Sequence, residues 1–144
     1  MTTPARPTPS KRPQSRLLHA TVVAADLLTS LAFYDAVFGA LGMGRHSEFS
    51  DEEEHDASAD AVGFGSTDGD ALLWLVVGTR PTTGAHIALA ALDRAQVDAF
   101  WQATTSAGGT TKQAPRGWEI YRPGYYGAIV ADPDGNLVEA VASE

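Results

Sequence analysis

The sequence predicts an α+β fold built from two tandem βαβββ modules. The first observation behind this prediction is an internal repeat: His19 and His86 are 67 residues apart, and three further identical pairs keep that separation. These pairs are Asp26 and Asp93, Phe33 and Phe100, and Gly42 and Gly109. The second observation is that each half runs from an apolar strand-length segment into an amphipathic helix and then into further apolar segments. Two matched halves predict a pseudo-symmetric domain with a site between them.

The first half begins with an apolar run of strand length over residues 17–24. Asp26 follows at the position of a helix N-cap, and apolar residues then recur every three or four positions. Gly39 and Gly42 provide the stop of this helix. A polar loop is expected over 51–60. The predicted strands of this half after the helix are 43–50, 61–65 and 71–78, with a turn at Asp68-Gly69 between the last two.

The second half repeats this order of elements. Residues 85–91 form the apolar run, and Asp93 caps a helix with Gln96 three positions later, as in a capping box. Gly108 and Gly109 end this helix. The strands expected after it are 110–116, 125–131 and 136–142, and an Asp-Pro-Asp-Gly turn joins the last two.

The composition is that of an ordinary globular domain. The chain has 144 residues, enough for one domain with a sizeable core, and 44% of them are hydrophobic. It has no cysteine, which excludes disulfides and thiolate metal sites. No apolar run approaches the length of a membrane span, and no secretory signal is visible. We therefore expect a cytoplasmic protein without a membrane partner.

The charge is distributed unevenly along the chain. Residues 1–16 carry four basic side chains and no acid, a charge of +4. Because the net charge of the whole chain is −8, the remaining residues carry a net charge of −12. An acidic body repels phosphates, which argues against nucleic-acid binding. The proline-rich tail 1–16 is expected to be disordered; it either binds a partner or is simply solvated. Residues 17–144 form the predicted domain, with modules of about 17–80 and 84–144.

Three polar side chains interrupt apolar strands and are the candidate functional residues. His19 and His86 open the two halves, and Glu139 stands between Val138 and Ala140 in the last strand. A carboxylate in such a strand costs free energy unless a charged partner or a metal compensates. Two histidines and one carboxylate can form a facial metal site with open positions for substrate. The simpler interpretations are hydrogen-bonded core histidines and a glutamate on a wet sheet face.

Three segments together resemble the vicinal oxygen chelate superfamily, which includes glyoxalase I, extradiol dioxygenases, fosfomycin-resistance enzymes and bleomycin-resistance proteins. The segments are HATVVAADLLTSLAFYDAVFGALGM, GAHIALAALDRAQVDAFWQATTSAGG and GYYGAIVADPDGNLVEAV, and the resemblance covers about residues 17–142. It implies a cup-shaped mixed sheet formed by the two modules around one divalent metal ion. It also implies that His19, His86 and Glu139 are the ligands of that ion, with Fe, Mn, Ni and Zn all possible.

One position departs from the resemblance to glyoxalase I. Metal-dependent glyoxalase I usually has a fourth ligand in the last strand of the first module. The corresponding position here is Leu73 or Trp74, and neither side chain binds metal. A site with three ligands fits the extradiol dioxygenases and the fosfomycin-type transferases better.

The aromatic segment 115–130 supplies further candidates for the cup. The candidate catalytic residues are Tyr121, Tyr126 and Glu119, and the candidate pocket residues are Trp74, Arg122 and Tyr125. The alternative for each aromatic residue is packing against the sheet. Because strand side chains alternate between faces, only one of Tyr125 and Tyr126 should point into the cup. His46 and His55 are weaker candidates.

The resemblance implies a metal-dependent lyase, dioxygenase or transferase acting on a small oxygenated substrate. The alternative is a metal-free, drug-sequestering protein of the bleomycin-resistance type. That type commonly lacks the two histidines and the glutamate, so the presence of all three favours the enzyme. Members of the superfamily often form homodimers, sometimes by exchanging modules. A homodimer is therefore expected, and His19 and His86 could meet across a chain boundary.

Overall fold

A computed structural model of the protein describes residues 17–49 and 61–143. The predicted α+β fold of two βαβββ modules is confirmed. The elements in chain order are β1 (Ala20–Ala24), α1 (Leu27–Ala40), β2 (Gly44–Phe49), β3 (Ala61–Gly65), β4 (Ala71–Val77), β5 (His86–Ala90), α2 (Arg94–Ser106), β6 (Thr110–Gly117), β7 (Tyr126–Ala131) and β8 (Leu137–Ala142). The basic tail and the acidic loop that contains His55 lie outside the described residues.

Each module forms one four-stranded mixed sheet, and the two sheets have the same topology. The strand orders are β1-β4-β3-β2 and β5-β8-β7-β6. In each sheet the first and last strands of the module pair in parallel, and the other pairs are antiparallel. The repeat detected in the sequence is therefore a repeat of the whole strand arrangement.

Both helices begin at the aspartates that the sequence indicates. The Asp26 carboxylate accepts a hydrogen bond from the Thr29 amide at 3.1 Å, and that of Asp93 accepts one from the Gln96 amide at 2.8 Å. The predicted capping box differs in one detail, since the Gln96 side chain accepts from the amide of Leu92 rather than from that of Asp93. Either bond satisfies an amide that the helix leaves without a partner.

The two helices contact each other and bury one face of both sheets in a single core. The buried residues of α1 are Ser30, Leu31, Phe33, Tyr34, Val37 and Phe38, and those of α2 are Val97, Phe100 and Thr104. Gly109, at the end of the second helix, lies close to the Phe33 ring of the first module: a Cβ built on it would be 2.8 Å from that ring. The modules therefore share one interior.

The opposite face of each sheet is not covered by a helix. In β8, the buried residues Val138, Ala140 and Ala142 alternate with partly exposed ones. In β5, the exposed positions include His86 and Ala88. Within the described part of the chain, no helix has the length and apolar character needed to cross a bilayer.

A buried carboxylate in the turn between β7 and β8 connects the two modules. Asp132 accepts a hydrogen bond of 2.7 Å from the Tyr34 hydroxyl of α1 through Oδ2. Its Oδ1 accepts from the amides of Asp134 and Asn136, both at 2.9 Å. Burial, together with the negative charge of Asp132, raises the pKa of Tyr34 well above its ordinary value, so this phenol stays a hydrogen-bond donor.

The turn between β7 and β8 also forms hydrogen bonds with the segment that precedes β5. Asn136 is fully buried; its side-chain amide donates to the Thr82 carbonyl at 2.8 Å and accepts from the Ala85 amide at 3.1 Å. Asp134 reaches the other end of the first module, where it accepts from the Ala25 amide at 3.2 Å. These bonds, with those of Asp132, are called the Asp132 network below.

Replacement of Tyr34 by phenylalanine is expected to lower the free energy of unfolding by about 1–3 kcal/mol, because it removes a donor to a buried carboxylate. Urea denaturation followed by circular dichroism measures this loss. Tyr126→Phe is the matched control: its hydroxyl also donates to an aspartate at 2.7 Å, but the bond is only partly buried. The control should lose less than about 1 kcal/mol. Equal losses in the two variants would contradict a special role for the Asp132 network.

Candidate functional site

His19 lies immediately before β1 on the face of the first sheet that the helices leave open. It is exposed and borders a cavity of about 390 Å³. The other residues that line this cavity are Leu18, His46, Ser47, Phe49, Asp70, Ala71 and Trp74. His46 is also exposed and contacts the hydroxyl of its neighbour Ser47 at 2.7 Å through Nδ1. Two imidazoles, one carboxylate and an aromatic wall therefore characterise the first module's part of the site.

His86 and Glu139 lie together on the open face of the second sheet. They come from the parallel strands β5 and β8, in which Ala88 is paired with Glu139. The His86 Nε2 atom is 3.3 Å from the Glu139 Oε1 atom. The Glu139 side chain is mostly buried, with 15% of its surface exposed, whereas His86 is 49% exposed. The carboxylate is thus shielded from water on most sides and has the imidazole as its neighbour.

The donor atoms of His86 and Glu139 fit two neighbouring positions around a divalent cation. Two ligand atoms that are each about 2.1 Å from a cation and at right angles to each other are about 3 Å apart. The observed 3.3 Å separation is close to that value. Imidazole nitrogen and carboxylate oxygen are ordinary ligands of Fe, Mn, Ni and Zn.

One chain alone does not bring the three predicted ligands together. Among residues 17–49 and 61–143, no three histidine, aspartate or glutamate side chains are close enough to hold one cation. His19 belongs to the open face of the first sheet, and the other two belong to that of the second. The repeat places the two histidines at equivalent positions, and equivalence in a pseudo-symmetric fold does not require proximity.

The strand register shows which residue of the first module corresponds to Glu139. Thr21 is paired with Trp74, and Ala88, which stands 67 residues after Thr21, is paired with Glu139. Trp74 is therefore the counterpart of Glu139, and Leu73 is buried in the core on the opposite face. The indole lies over Gly63, where an added Cβ would be 3.0 Å from two ring atoms. The Phe49 ring packs beside it, with 5.5 Å between the ring centroids.

The two adjacent tyrosines at the start of β7 have different surroundings. The Tyr126 hydroxyl donates to the Asp98 carboxylate of α2, and the Arg94 guanidinium lies 4.9 Å from its ring centroid. Its pKa is raised, first by that hydrogen bond. The pKa of Tyr125 is raised by burial and then by the negative charge of Glu139. Tyr125 shares its face of the sheet with Ile129, the strand partner of Glu139, and therefore lies on the side of Glu139, whereas Tyr126 contacts the helix.

The remaining candidates lie in the exposed connection between β6 and β7. Glu119, Tyr121 and Arg122 are all exposed. The Tyr121 ring is parallel to the ring of Trp118, with centroids 5.2 Å apart, and lies 5.6 Å from that of Tyr125. Sequence reasoning overlooked Trp118, although the segment around it was recognised as aromatic. Its spacing of three residues from Tyr121, across a turn, was the available signal.

The fold and its repeat correspond to a known family. Residues 16–140 match the model of the Glyoxalase/Bleomycin resistance protein/Dioxygenase superfamily. The chain belongs to this superfamily. The match begins just before β1 and ends in the middle of β8, so it covers both modules. The resemblance inferred from the three sequence segments is confirmed.

Several solved structures have a similar fold. A glyoxalase/bleomycin resistance protein from Albidiferax ferrireducens T118 is 27% identical, with a TM-score of 0.69 over 88% of this chain and 97% of that chain. Lactoylglutathione lyase from Agrobacterium tumefaciens is 22% identical, with a TM-score of 0.62 over 91% and 96%. TioX from Micromonospora sp. ML1 is 16% identical, with a TM-score of 0.62 over 88% and 98%. Comparison with curated protein sequences gave no match.

Replacement of Gly63 by alanine is expected to displace the Trp74 indole, because the new methyl group would lie 3.0 Å from two atoms of the ring. The indole N–H resonance of Trp74, assigned through a Trp74→Phe variant, should shift in a proton–nitrogen correlation spectrum. The control is Gly44→Ala in the neighbouring part of the sheet, where no atom lies within 4 Å of an added Cβ. A Trp74 resonance that is unchanged in Gly63→Ala would contradict the position of the indole over Gly63.

Proposed function

We propose that this protein is a metal-dependent enzyme that acts on a small oxygenated substrate, with one divalent cation held by His19, His86 and Glu139. The observation that carries the proposal is the pair formed by His86 and Glu139, whose donor atoms are 3.3 Å apart on an open sheet face. A largely buried carboxylate beside an imidazole is costly without a cation, and a cation shared by both side chains offsets that cost.

We infer that a homodimer completes the site. His19 lies on the open face of the first module and the other two ligands on that of the second, so a second copy is needed to bring them together. In the proposed dimer, the first module of one copy faces the second module of the other. Two-fold symmetry then generates two identical sites. Each site also has the aromatic wall of Phe49 and Trp74.

The chain's own residues define what the site does to a substrate. A bound cation supplies Lewis-acid stabilisation of negative charge on neighbouring substrate oxygens. Trp74 occupies the position of a fourth ligand without donating an electron pair, which leaves positions for two substrate oxygens. A tyrosine phenol is protonated at neutral pH, and Tyr125 shares its face of the sheet with Ile129, the strand partner of Glu139, so it donates a hydrogen bond to a substrate oxygen beside Glu139. This arrangement suits a lyase, a dioxygenase or a transferase.

The other candidate residues have less support as catalytic groups. The Tyr126 hydroxyl is bonded to Asp98 on the helix side of the sheet, away from Glu139. Glu119 and Arg122 are exposed on the connection between β6 and β7, where they can contact a substrate at the entrance of the cup. We assign catalysis to the ligands and Tyr125, and substrate contacts to the connection.

A second candidate function is metal-free sequestration of a small molecule. The observation in its favour is the cavity of about 390 Å³ beside His19, which has an aromatic wall of Phe49 and Trp74 and only one carboxylate, that of Asp70, among its described lining residues. Tight binding of a compound that is unaffected by chelators would support this function over the enzyme.

Purified protein exposed to Fe, Mn, Ni or Zn and then desalted is expected to retain about one ion per chain. His86→Ala should retain less than about a tenth of that amount, since a metal site that loses one of three protein ligands binds far more weakly. His46→Ala is the control, because His46 is also an exposed strand histidine but is not among the proposed ligands. Elemental analysis gives the ratio, and absence of stoichiometric metal from the unmodified protein would contradict the proposed enzyme.

Complementation between two inactive variants tests the shared site. His19→Ala and His86→Ala are each expected to lose metal, and refolding them together forms mixed dimers. Each mixed dimer has one site with all three ligands, so statistical pairing restores about a quarter of the metal bound by the unmodified dimer. The controls are the two variants refolded separately. No recovery in the mixture, with dimers present by sedimentation, would place the three ligands in one chain.

A further inference from the structure

The connection between β6 and β7 contains three aromatic rings in mutual contact, which are called the aromatic shelf below. They belong to Trp118, Tyr121 and Tyr125. The rings of Trp118 and Tyr121 are nearly parallel, with an interplanar angle of 2°, and that of Tyr125 is tilted by 40° from Tyr121. Tyr121 is nevertheless 67% exposed, and its neighbour Ile120 is 93% exposed. A row of rings with this much apolar surface in water is typical of a binding surface.

The shelf borders an open cavity with its own charged groups. The cavity has a volume of about 390 Å³ and is lined by Arg116, Gly117, Trp118, Glu119 and Ile120. The Arg116 guanidinium lies 4.3 Å from the Trp118 ring centroid, and Glu119 adds one negative charge. Because the guanidinium is held over the indole, its donors are available at the edge of the shelf for an acidic group.

One polar atom of the shelf lacks a partner. The indole N–H of Trp118 is buried and, within residues 17–49 and 61–143, has no hydrogen-bond acceptor. A buried donor without an acceptor is rare in folded proteins and costs free energy. The connection therefore leaves one buried polar group unsatisfied beside the exposed rings.

The shelf also extends to the candidate metal site. Tyr125 is its inner ring, and it shares its face of the sheet with Ile129, the strand partner of Glu139. A compound stacked on Tyr121 is therefore held at the entrance of the cup on the side of the second module.

We propose that the aromatic shelf binds a planar aromatic compound with an acidic substituent, the ring stacking on the exposed Tyr121 and the acid facing Arg116. That this compound is the substrate rests on the proposed function. The binding itself depends only on the stacked rings and the guanidinium. Stacking is specific for flat rings because a saturated ring of similar size has no π-face.

The test compares 2-naphthoate with its saturated counterpart, decahydro-2-naphthoate, by calorimetric titration of the whole protein in EDTA. The two compounds have the same charge and a similar size, so they differ mainly in the aromatic face. We expect 2-naphthoate to bind about tenfold more tightly, as one stacking interaction warrants. Equal affinities would overturn the proposal.

Substitutions at Tyr121 locate the binding. Tyr121→Ala should weaken 2-naphthoate about tenfold and leave the saturated compound unchanged, whereas Tyr121→Phe, which keeps the ring, should bind 2-naphthoate within about twofold of the unmodified protein. Unchanged affinity in Tyr121→Ala would overturn the proposal. Loss of the dimer in Tyr121→Ala with unchanged affinity would also overturn it, since the shelf would then be a contact between copies.

The presence of EDTA separates this proposal from the proposed function. If 2-naphthoate binds as expected but the protein holds no stoichiometric metal, the shelf is supported and the metal-dependent enzyme is rejected. If metal is bound with the expected ligands but the two naphthoates bind equally, the enzyme is retained and the shelf is rejected.

Discussion

The position of the two modules depends on one buried carboxylate. Asp132 is 5% exposed and accepts four hydrogen bonds, from the Tyr34 hydroxyl, the Asn136 side chain and two turn amides. A buried charge is tolerated only when such donors surround it, so the turn, the helix and the carboxylate stabilise one another. The bond from Tyr34 crosses 98 positions in sequence and joins the first module to the second.

The same network positions the candidate site. Asn136 accepts from the Ala85 amide, and the Leu137 amide donates to the Ala85 carbonyl at 2.7 Å. These bonds set the parallel register of β5 against β8, in which His86 is paired with Leu137. Because the register determines which side chains are neighbours on a face, it also brings His86 beside Glu139. The chemistry of the open face therefore depends on the turn that precedes β8.

The fold was predictable from the sequence because its signals are local and repeated. The N-caps at Asp26 and Asp93 and the glycine turns are short-range patterns, and each occurs twice. The choice between Leu73 and Trp74 was not predictable, since it depends on the pairing of β1 with β4. The sequence also did not determine which of Tyr125 and Tyr126 faces the helix. Alternation along a strand predicts that two neighbouring side chains lie on opposite faces, but it does not predict which of them contacts the helix.

Proximity of the candidate ligands was the hardest feature to predict. The repeat indicates that His19 and His86 are equivalent, but each stands on the open face of its own sheet. Their meeting requires that these faces approach each other, which is a property of assembly rather than of one chain's pattern. The stacking of Trp118 on Tyr121 was also difficult to predict, because it depends on the path of a turn that has no strong sequence signature.

In the proposed dimer, the difference between Trp74 and Glu139 favours the pairing of unlike modules. The two residues occupy equivalent strand positions, yet one gives an apolar wall and the other an anionic donor. If like modules faced each other, one cup would contain two glutamates and the other would contain two tryptophans. Two carboxylates in one cup would repel each other, and two indoles would supply no anionic ligand. In the proposed dimer, pairing of unlike modules gives each cup the Glu139 carboxylate, the imidazoles of His19 and His86 and one aromatic wall. The difference between the two strand positions therefore favours two identical sites.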